Sequence, residues 1–272
     1  MSDKSSADTS ALTSACVRSV RGSSESRSAG LRDRGGRPMS IIAESEIVDE
    51  FAQFGIRAFT TTRTIGSFGL KSDEPSAVIT GRWSSLRREL LSGGPRLATA
   101  NQVHGAEVLV HQTCWEGWLR AGDADGHASI DRGTALAVAV ADCVPVFVAH
   151  PSGAIALLHS GWRGTAGRIV ERGIASLVQR GFSASELYVH TGPSICGKCY
   201  EVSADVYAQL TGRDPGRPTT IELRDLIADH ARASGVRHVS TTASCTRCNN
   251  DRFFSHRAGD TGRQLGVMIA DL

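Results

Sequence analysis

Three short segments carry polar, metal-competent side chains inside otherwise apolar or glycine-punctuated stretches. They are Asn101-Gln102-Val103-His104-Gly105, Ala141-Asp142-Cys143-Val144-Pro145 and Leu158-His159-Ser160-Gly161-Trp162-Arg163-Gly164. Cys143 and His159 each fall at the end of a predicted buried strand, and strand ends are where α/β sheets bind ligands. Two imidazoles and a thiolate converging there would make a three-ligand zinc site with its fourth position open to water, the arrangement of catalytic rather than structural zinc. Spacing alone does not require this. A single His or a buried Cys in such a strand is more often core filling, and the local spacings match no short metal motif. A Cys143–His159 nucleophile pair is a second reading, although no third orienting residue is evident for it.

The elements that must position these residues are legible from periodicity. Arg57–Thr62, Leu97–Ala100 and Ala106–Gln112 read as strands, and Arg82–Leu91 as a short helix. Thr134–Ala141, Val144–Ala149 and Ala154–His159 are nearly continuous apolar runs, the mark of strands covered on both faces. Ile169, Val170, Gly173, Ile174, Leu177 and Val178 then recur at helical spacing, predicting one amphipathic helix over 165–180, ended by Gly181. Leu187–Thr191 reads as a strand, Ala204–Leu210 and Leu223–Ser234 as helices, and Gly266–Ala270 as a last strand. The expectation is a single α/β domain over residues 39–272, a mixed β-sheet core covered by helices.

Residues 1–38 hold ten Ser and no aromatic residue, a composition that reads as a disordered tail; Met39 is a candidate start of translation. Without an apolar run, this stretch is no secretory signal. The chain has 30 Lys/Arg against 28 Asp/Glu, and seven of the basic and four of the acidic residues fall in 1–38. The remainder is close to neutral, which argues against a nucleic-acid groove. The longest apolar stretch, Ala135 to Ala149, is broken by Asp142 and Pro145 and is too short to span a bilayer. Seven cysteines are an odd number with no secretory context, so a disulfide framework is a poor reading and a cytoplasmic location is expected.

Read in order, Gln-Val-His-Gly at 102–105, Ala-Asp-Cys-Val-Pro at 141–145 and His-Ser-Gly-Trp-Arg-Gly at 159–164 resemble one family. Gly-Pro-Ser-Ile-Cys-Gly-Lys-Cys-Tyr-Glu-Val at 192–202, Cys-Thr at 245–246, Phe-Phe-Ser-His-Arg at 253–257 and Thr-Gly-Arg-Gln at 261–264 continue the match. It is the laccase-domain, or multicopper polyphenol oxidoreductase, family, which includes purine nucleoside phosphorylase-type enzymes and the peptidoglycan editing factor. The resemblance runs from about Arg57 to the C-terminus and puts the family's zinc ligands on His104, Cys143 and His159. It implies phosphorolysis of adenosine, inosine and methylthioadenosine, together with adenosine deamination, with purine nucleosides and phosphate as small-molecule partners. In that reading Gly161 opens a strand-to-helix turn whose amides hold phosphate, with Arg163 as counter-charge; a surface ion pair is the plain alternative for Arg163. Arg63 resembles the family's early Thr-Arg motif and is a second phosphate candidate, although Thr64-Ile65-Gly66-Ser67 replaces the usual paired glycines and Asn-Leu-Gly. Asp125 sits in the Ala-Asp motif and would orient a ligating His or touch the ribose. Cys143 and His159 are carried as catalytic as well as ligating. Asp142 is carried as a proton shuttle, with a buried structural hydrogen bond as its alternative. Ser160 replaces the usual Ala.

Cys196-Gly197-Lys198-Cys199 and Cys245-Thr246-Arg247-Cys248 suggest, in isolation, a four-thiolate zinc. The 45 residues between the pairs exceed the spacing of compact zinc ribbons, and Cys199 and Cys245 also match family positions. The expectation is therefore one zinc, with a second left open. Copper is the alternative metal, yet none of the nine histidines (104, 111, 127, 150, 159, 190, 230, 238, 256) forms the His-x-His pair of a multicopper cluster. A polyphenol oxidase-type copper enzyme, hydrolysis of misloaded muropeptide precursors and a non-catalytic metal-binding module remain as alternative functions.

Overall fold

The computed structural model describes residues 39–90 and 92–272; the expected tail, 1–38, lies outside them. The α/β expectation holds, but the sheet is in fact two. In chain order the strands are β1 (Glu46–Ile47), β2 (Ile56–Thr60), β3 (Arg96–Asn101), β4 (Val108–His111), β5 (Gly117–Asp123), β6 (Gly126–Ser129) and β7 (Thr134–Val140). They continue as β8 (Val144–Ala149), β9 (Ile155–Ser160), β10 (Tyr188–Thr191), β11 (Glu201–Val202), β12 (Thr219–Thr220), β13 (His238–Thr241) and β14 (Gln264–Ala270). One six-stranded sheet has the order β1-β2-β14-β7-β3-β5 and the other β13-β10-β8-β9-β6-β4, with β11 and β12 as a separate ribbon. Both large sheets mix parallel and antiparallel pairs.

The side-chain period of two along a strand sorts the core into layers. On β7, Leu136, Val138 and Val140 face Phe147, Ile155 and Leu157 of the other sheet, whereas Ala135 and Ala137 face the opposite way. There they meet Ile79, Trp83, Leu86 and Leu90 of α1 (Ser76–Leu90). On the far side, Val144, Val146, Val148 and Leu158 pack against Ile169, Val170, Ile174 and Ile227. These belong to α3 (Ile169–Val178) and α5 (Leu223–Ala233). The result is helix, sheet, sheet, helix. Runs such as 135–140 are apolar throughout because both of their faces are covered.

One predicted helix is two. α2 (Trp162–Ala166) stops at Gly167, and Arg168 takes a left-handed φ of 61° before α3 begins. A non-glycine left-handed residue interrupts the i→i−4 ladder, so the period survives while the axis breaks. α4 (Ala204–Thr211) begins at a Ser203 cap, its hydroxyl accepting from the Val206 N–H.

His111 on β4 and His127 on β6 are buried side by side, with Nε2 and Nδ1 2.9 Å apart. Burial pushes the His111 ring down to about 4 and the His127 ring to about 3. In the unfolded chain both would titrate near ~6.5. Below that pH the unfolded chain therefore takes up protons that the folded chain refuses. Stability should fall with pH from about 6.5 downward, by up to about 1.4 kcal/mol per pH unit for each ring. The check is urea unfolding between pH 7.5 and 5 in the wild type and in His111→Gln: a shallower slope is expected in the variant, and identical slopes would refute the account.

Candidate active site

Three of the connections that cross from one sheet to the other converge at one place. β3 leads to β4 through residues 102–107, β5 to β6 through Ala124 and Asp125, and β7 to β8 through Ala141, Asp142 and Cys143. His159 comes from the end of β9, where it pairs with Pro145 near the start of β8. The Gln102 amide completes the pairing that β3 abandons: its Nε2 donates to the Ala139 carbonyl (2.9 Å) and its Oε1 accepts from the Ala139 N–H (2.7 Å). His104 follows at a φ of 59°, and Asp142 at a φ of 78°. Such conformations cost non-glycine residues on the order of 1–3 kcal/mol each and persist only where the surroundings over-determine them.

Asp125 does the over-determining at His104. Fully buried, it accepts from the backbone N–H groups of Val103 (3.2 Å), His104 (3.0 Å) and Gly105 (2.6 Å). It also binds His159 Nδ1 at 2.8 Å. Burial alone would raise its pKa, but the bonds from His159 and Gly105 outweigh it and hold the carboxyl below its ordinary range. With Nδ1 engaged, the other ring nitrogen of His159 is the one left to ligate, the carboxylate–histidine arrangement that fixes tautomer and orientation in metal sites.

His104, Cys143 and His159 offer ligand atoms that all lie within 4.8 Å of one another. Burial pushes the Cys143 thiol up, but the His159 charge and hydrogen bonds from both imidazoles bring it down to about 6. His159 rises to about 9, its burial outweighed by the Cys143 thiolate and the Asp125 carboxylate. These opposed shifts favour a thiolate beside an imidazolium in the metal-free chain. A nucleophilic cysteine would show the same pair, but His104 adds a third donor, the set that suits zinc or copper. The backbone of Gly161 lies against this cluster: a Cβ there would come within 2.8 Å of Cys143 Sγ.

The cluster opens on a cavity of about 310 Å³, lined among others by Trp162, Arg163, Ile195, Tyr200, His256 and Arg257. That volume is at the lower end of small-molecule sites. Arg163 lies over the Trp162 ring, 4.3 Å from its centroid, and Arg257 over Tyr200 at 4.9 Å. The charges of Arg257 and Arg163 both act on the Tyr200 phenol; burial and the Cys143 thiolate nonetheless push it up to about 12, so it stays neutral.

Several expected roles change with the geometry. Arg63 is not among the cavity-lining residues: its guanidinium pairs with Asp260 and the Phe253 carbonyl and covers the Phe254 ring. It therefore anchors the loop that carries His256 and Arg257. Asp125 sits behind the candidate ligands, not at the cavity wall. Asp142 lines the cavity, but its Oδ1 accepts from the Thr246 hydroxyl (2.6 Å) and its Oδ2 from the Arg257 N–H (2.7 Å). Gly161 opens a helix of only five residues, Trp162–Ala166. Tyr200, His256 and Arg257 line the cavity with no role foreseen from the sequence, although two of the family-like motifs, Cys-Tyr-Glu-Val and Phe-Phe-Ser-His-Arg, contain them.

Residues 62–271 match the family described as multi-copper polyphenol oxidoreductase laccase, and the chain belongs to that family. It is 32% identical over 213 residues to a purine nucleoside phosphorylase of Streptomyces coelicolor, covering 75% of this chain and 86% of the relative. A purine nucleoside phosphorylase of Deinococcus radiodurans is 32% identical over 210 residues, covering 73% and 79%. The crystal structure of YlmD from Geobacillus stearothermophilus superposes with a TM-score of 0.73 at 26% identity, covering 81% of this chain and 94% of that one. Among the described residues no helix is long and apolar enough to cross a membrane.

Two substitutions test the site. Asp125→Asn removes an acceptor oxygen and the charge that fixes His159, so metal affinity should drop about 10- to 100-fold and stability by on the order of 2 kcal/mol. Competition with a chelator and urea unfolding would read these; unchanged values in both would refute the role of Asp125. Gly161→Ala should fold, since its φ of −81° suits alanine, yet bind metal more weakly because the methyl group displaces Cys143 Sγ. Wild-type metal affinity in a folded Gly161→Ala protein would show that the thiol needs no such clearance.

Proposed function

We propose that the chain is a zinc-dependent purine nucleoside phosphorylase that also deaminates adenosine. The observation that carries this reading is a His/Cys/His donor set of which His104 and Cys143 line a cavity whose wall also holds two arginines. A zinc ion bound to His104, Cys143 and His159 would supply a Lewis acid with one position open to a reactant. The remaining chemistry falls to the chain's own groups. In phosphorolysis a phosphate oxygen bonds to the ribose C1′ as the C1′–N9 bond breaks, giving the free base and ribose 1-phosphate. Arg163 and Arg257 would hold the phosphate by charge-assisted hydrogen bonds, and Trp162 offers an apolar face to the nucleoside. Tyr200, neutral at physiological pH, is a hydrogen-bond donor in the same cavity. In deamination, water replaces the amino group at C6 and ammonia leaves. Asp142 acts as a positioning residue that holds the 246 and 257 loops to the Cys143 turn, because both of its oxygens are so engaged. The names of the bacterial relatives support the nucleoside substrate.

Metal-replete protein given adenosine should yield adenine and ribose 1-phosphate when phosphate is present and inosine when it is absent, with both activities lost after metal removal. Arg163→Ala should lower kcat/KM for phosphate roughly 10- to 100-fold, the loss of a charged hydrogen bond worth about 1.5–3 kcal/mol, while deamination changes little. Absence of product from adenosine and inosine under all conditions would overturn the proposal.

A further inference from the structure

The two Cys-x-x-Cys pairs meet. Cys196, Cys199, Cys245 and Cys248 bring their sulfurs within 4.8 Å of one another, apart from the His104–Cys143–His159 cluster. All four are free thiols, and the Cys199 and Cys248 sulfurs stand 3.5 Å apart. A disulfide would require about 2.05 Å. Tetrahedral Zn–S bonds of about 2.3 Å separate neighbouring sulfurs by roughly 3.8 Å. The spacing therefore suits a shared cation rather than a covalent link.

The backbone favours the charged form of one of the four sulfurs, that of Cys245. The Cys196 N–H donates to Cys245 Sγ at 3.2 Å, and the Cys248 N–H donates to the same sulfur at 3.4 Å. Glycine at 197 allows a close approach, since a Cβ there would sit 3.0 Å from that of Glu222. Its N–H donates to Glu222 Oε2 at 2.8 Å. Arg224, almost wholly buried, pairs with Glu222 and donates to the Thr242 and Ser244 carbonyls just ahead of the second pair. One ion pair thus ties both turns together. A buried guanidinium near four thiolates also offsets the surplus negative charge they would keep around a divalent ion.

We propose that these four thiolates hold a second zinc ion, structural and coordinatively closed, that clamps the loop after β10 to the loop after β13. Its position gives the clamp a purpose. Ile195 and Tyr200 flank the first pair and line the cavity. The Ile195 N–H donates to the Asp142 carbonyl (3.1 Å), and the hydroxyl of Thr246, inside the second pair, donates to Asp142 Oδ1. The Thr246 N–H donates in turn to the Ser194 carbonyl at 3.0 Å, so the two loops are also laced by their backbones. Both loops in this way reach the strained residue beside Cys143, and the ion would hold the cavity wall in register with the first metal site without touching substrate.

The test is metal analysis of the full-length protein purified under reducing conditions with zinc as the metal. Two zinc ions per chain are expected in the wild type. The double variant Cys196→Ser/Cys199→Ser should retain one, and Cys143→Ser should also retain one. Cobalt substitution of Cys143→Ser should give the intense sulfur-to-metal absorption of a four-thiolate centre. If the double variant fails to fold, the cobalt spectrum and metal count of Cys143→Ser still decide the matter, because the four thiols are intact there. One zinc per wild-type chain that the Cys196→Ser/Cys199→Ser variant retains, a metal-free Cys143→Ser, or disulfides among these four cysteines in the native protein would each overturn the proposal. None of these readouts depends on the nucleoside substrate, so failure of the enzymatic reading would leave this one standing.

Discussion

A buried carboxylate governs the geometry of this protein. Placing Asp125 in the interior sacrifices its hydration, a penalty of several kcal/mol that only well-formed charged hydrogen bonds offset. It receives three backbone N–H groups from residues 103–105 and the His159 ring. Those bonds satisfy the charge, and they also set two of the three candidate ligands in place at once. His104 is held through its own amide, His159 through its ring. Because the same anion serves both, neither ligand can shift without exposing a buried charge to an incomplete shell.

The sheets supply the frame for that anion. Each sheet buries one face against the other, and connections passing between them are short: Asp142 lies in a three-residue link from β7 to β8. So tight a passage drives the chain into a left-handed φ at Asp142, as the turn before β4 does at His104. Strain of this kind is tolerated because side-chain bonds fix both ends of it, Asp125 beneath His104 and Thr246 beside Asp142. The candidate active site and the four-cysteine cluster thus both lie on loops held by buried polar contacts.

Much of the frame was readable in the chain. The apolar runs of β7, β8 and β9 announced strands covered on both faces, and the spacing of Ile169, Val170, Ile174 and Leu177 announced a helix against them. β5 and β13 gave no such signal, since both are edge strands with exposed or half-exposed side chains. β6 was silent for another reason: Gly126-His127-Ala128-Ser129 is fully buried but small or polar, and its burial comes from neighbours far away in sequence. The break between α2 and α3 was hidden because a single left-handed residue leaves the apolar period intact.

The sequence by itself determined the donor types, His104, Cys143 and His159, and the place of Cys143 and His159 at strand ends, because those follow from local pattern and side-chain chemistry. It also determined the two Cys-x-x-Cys turns. Only the tertiary structure decided that Asp125 lies behind the ligands, that Arg63 is engaged by Asp260 while Arg257 reaches the cavity, and that the two cysteine pairs meet. These outcomes depend on which loops the crossing of two sheets brings together, and a contact between residues distant in the chain leaves no periodicity for a local pattern to reveal.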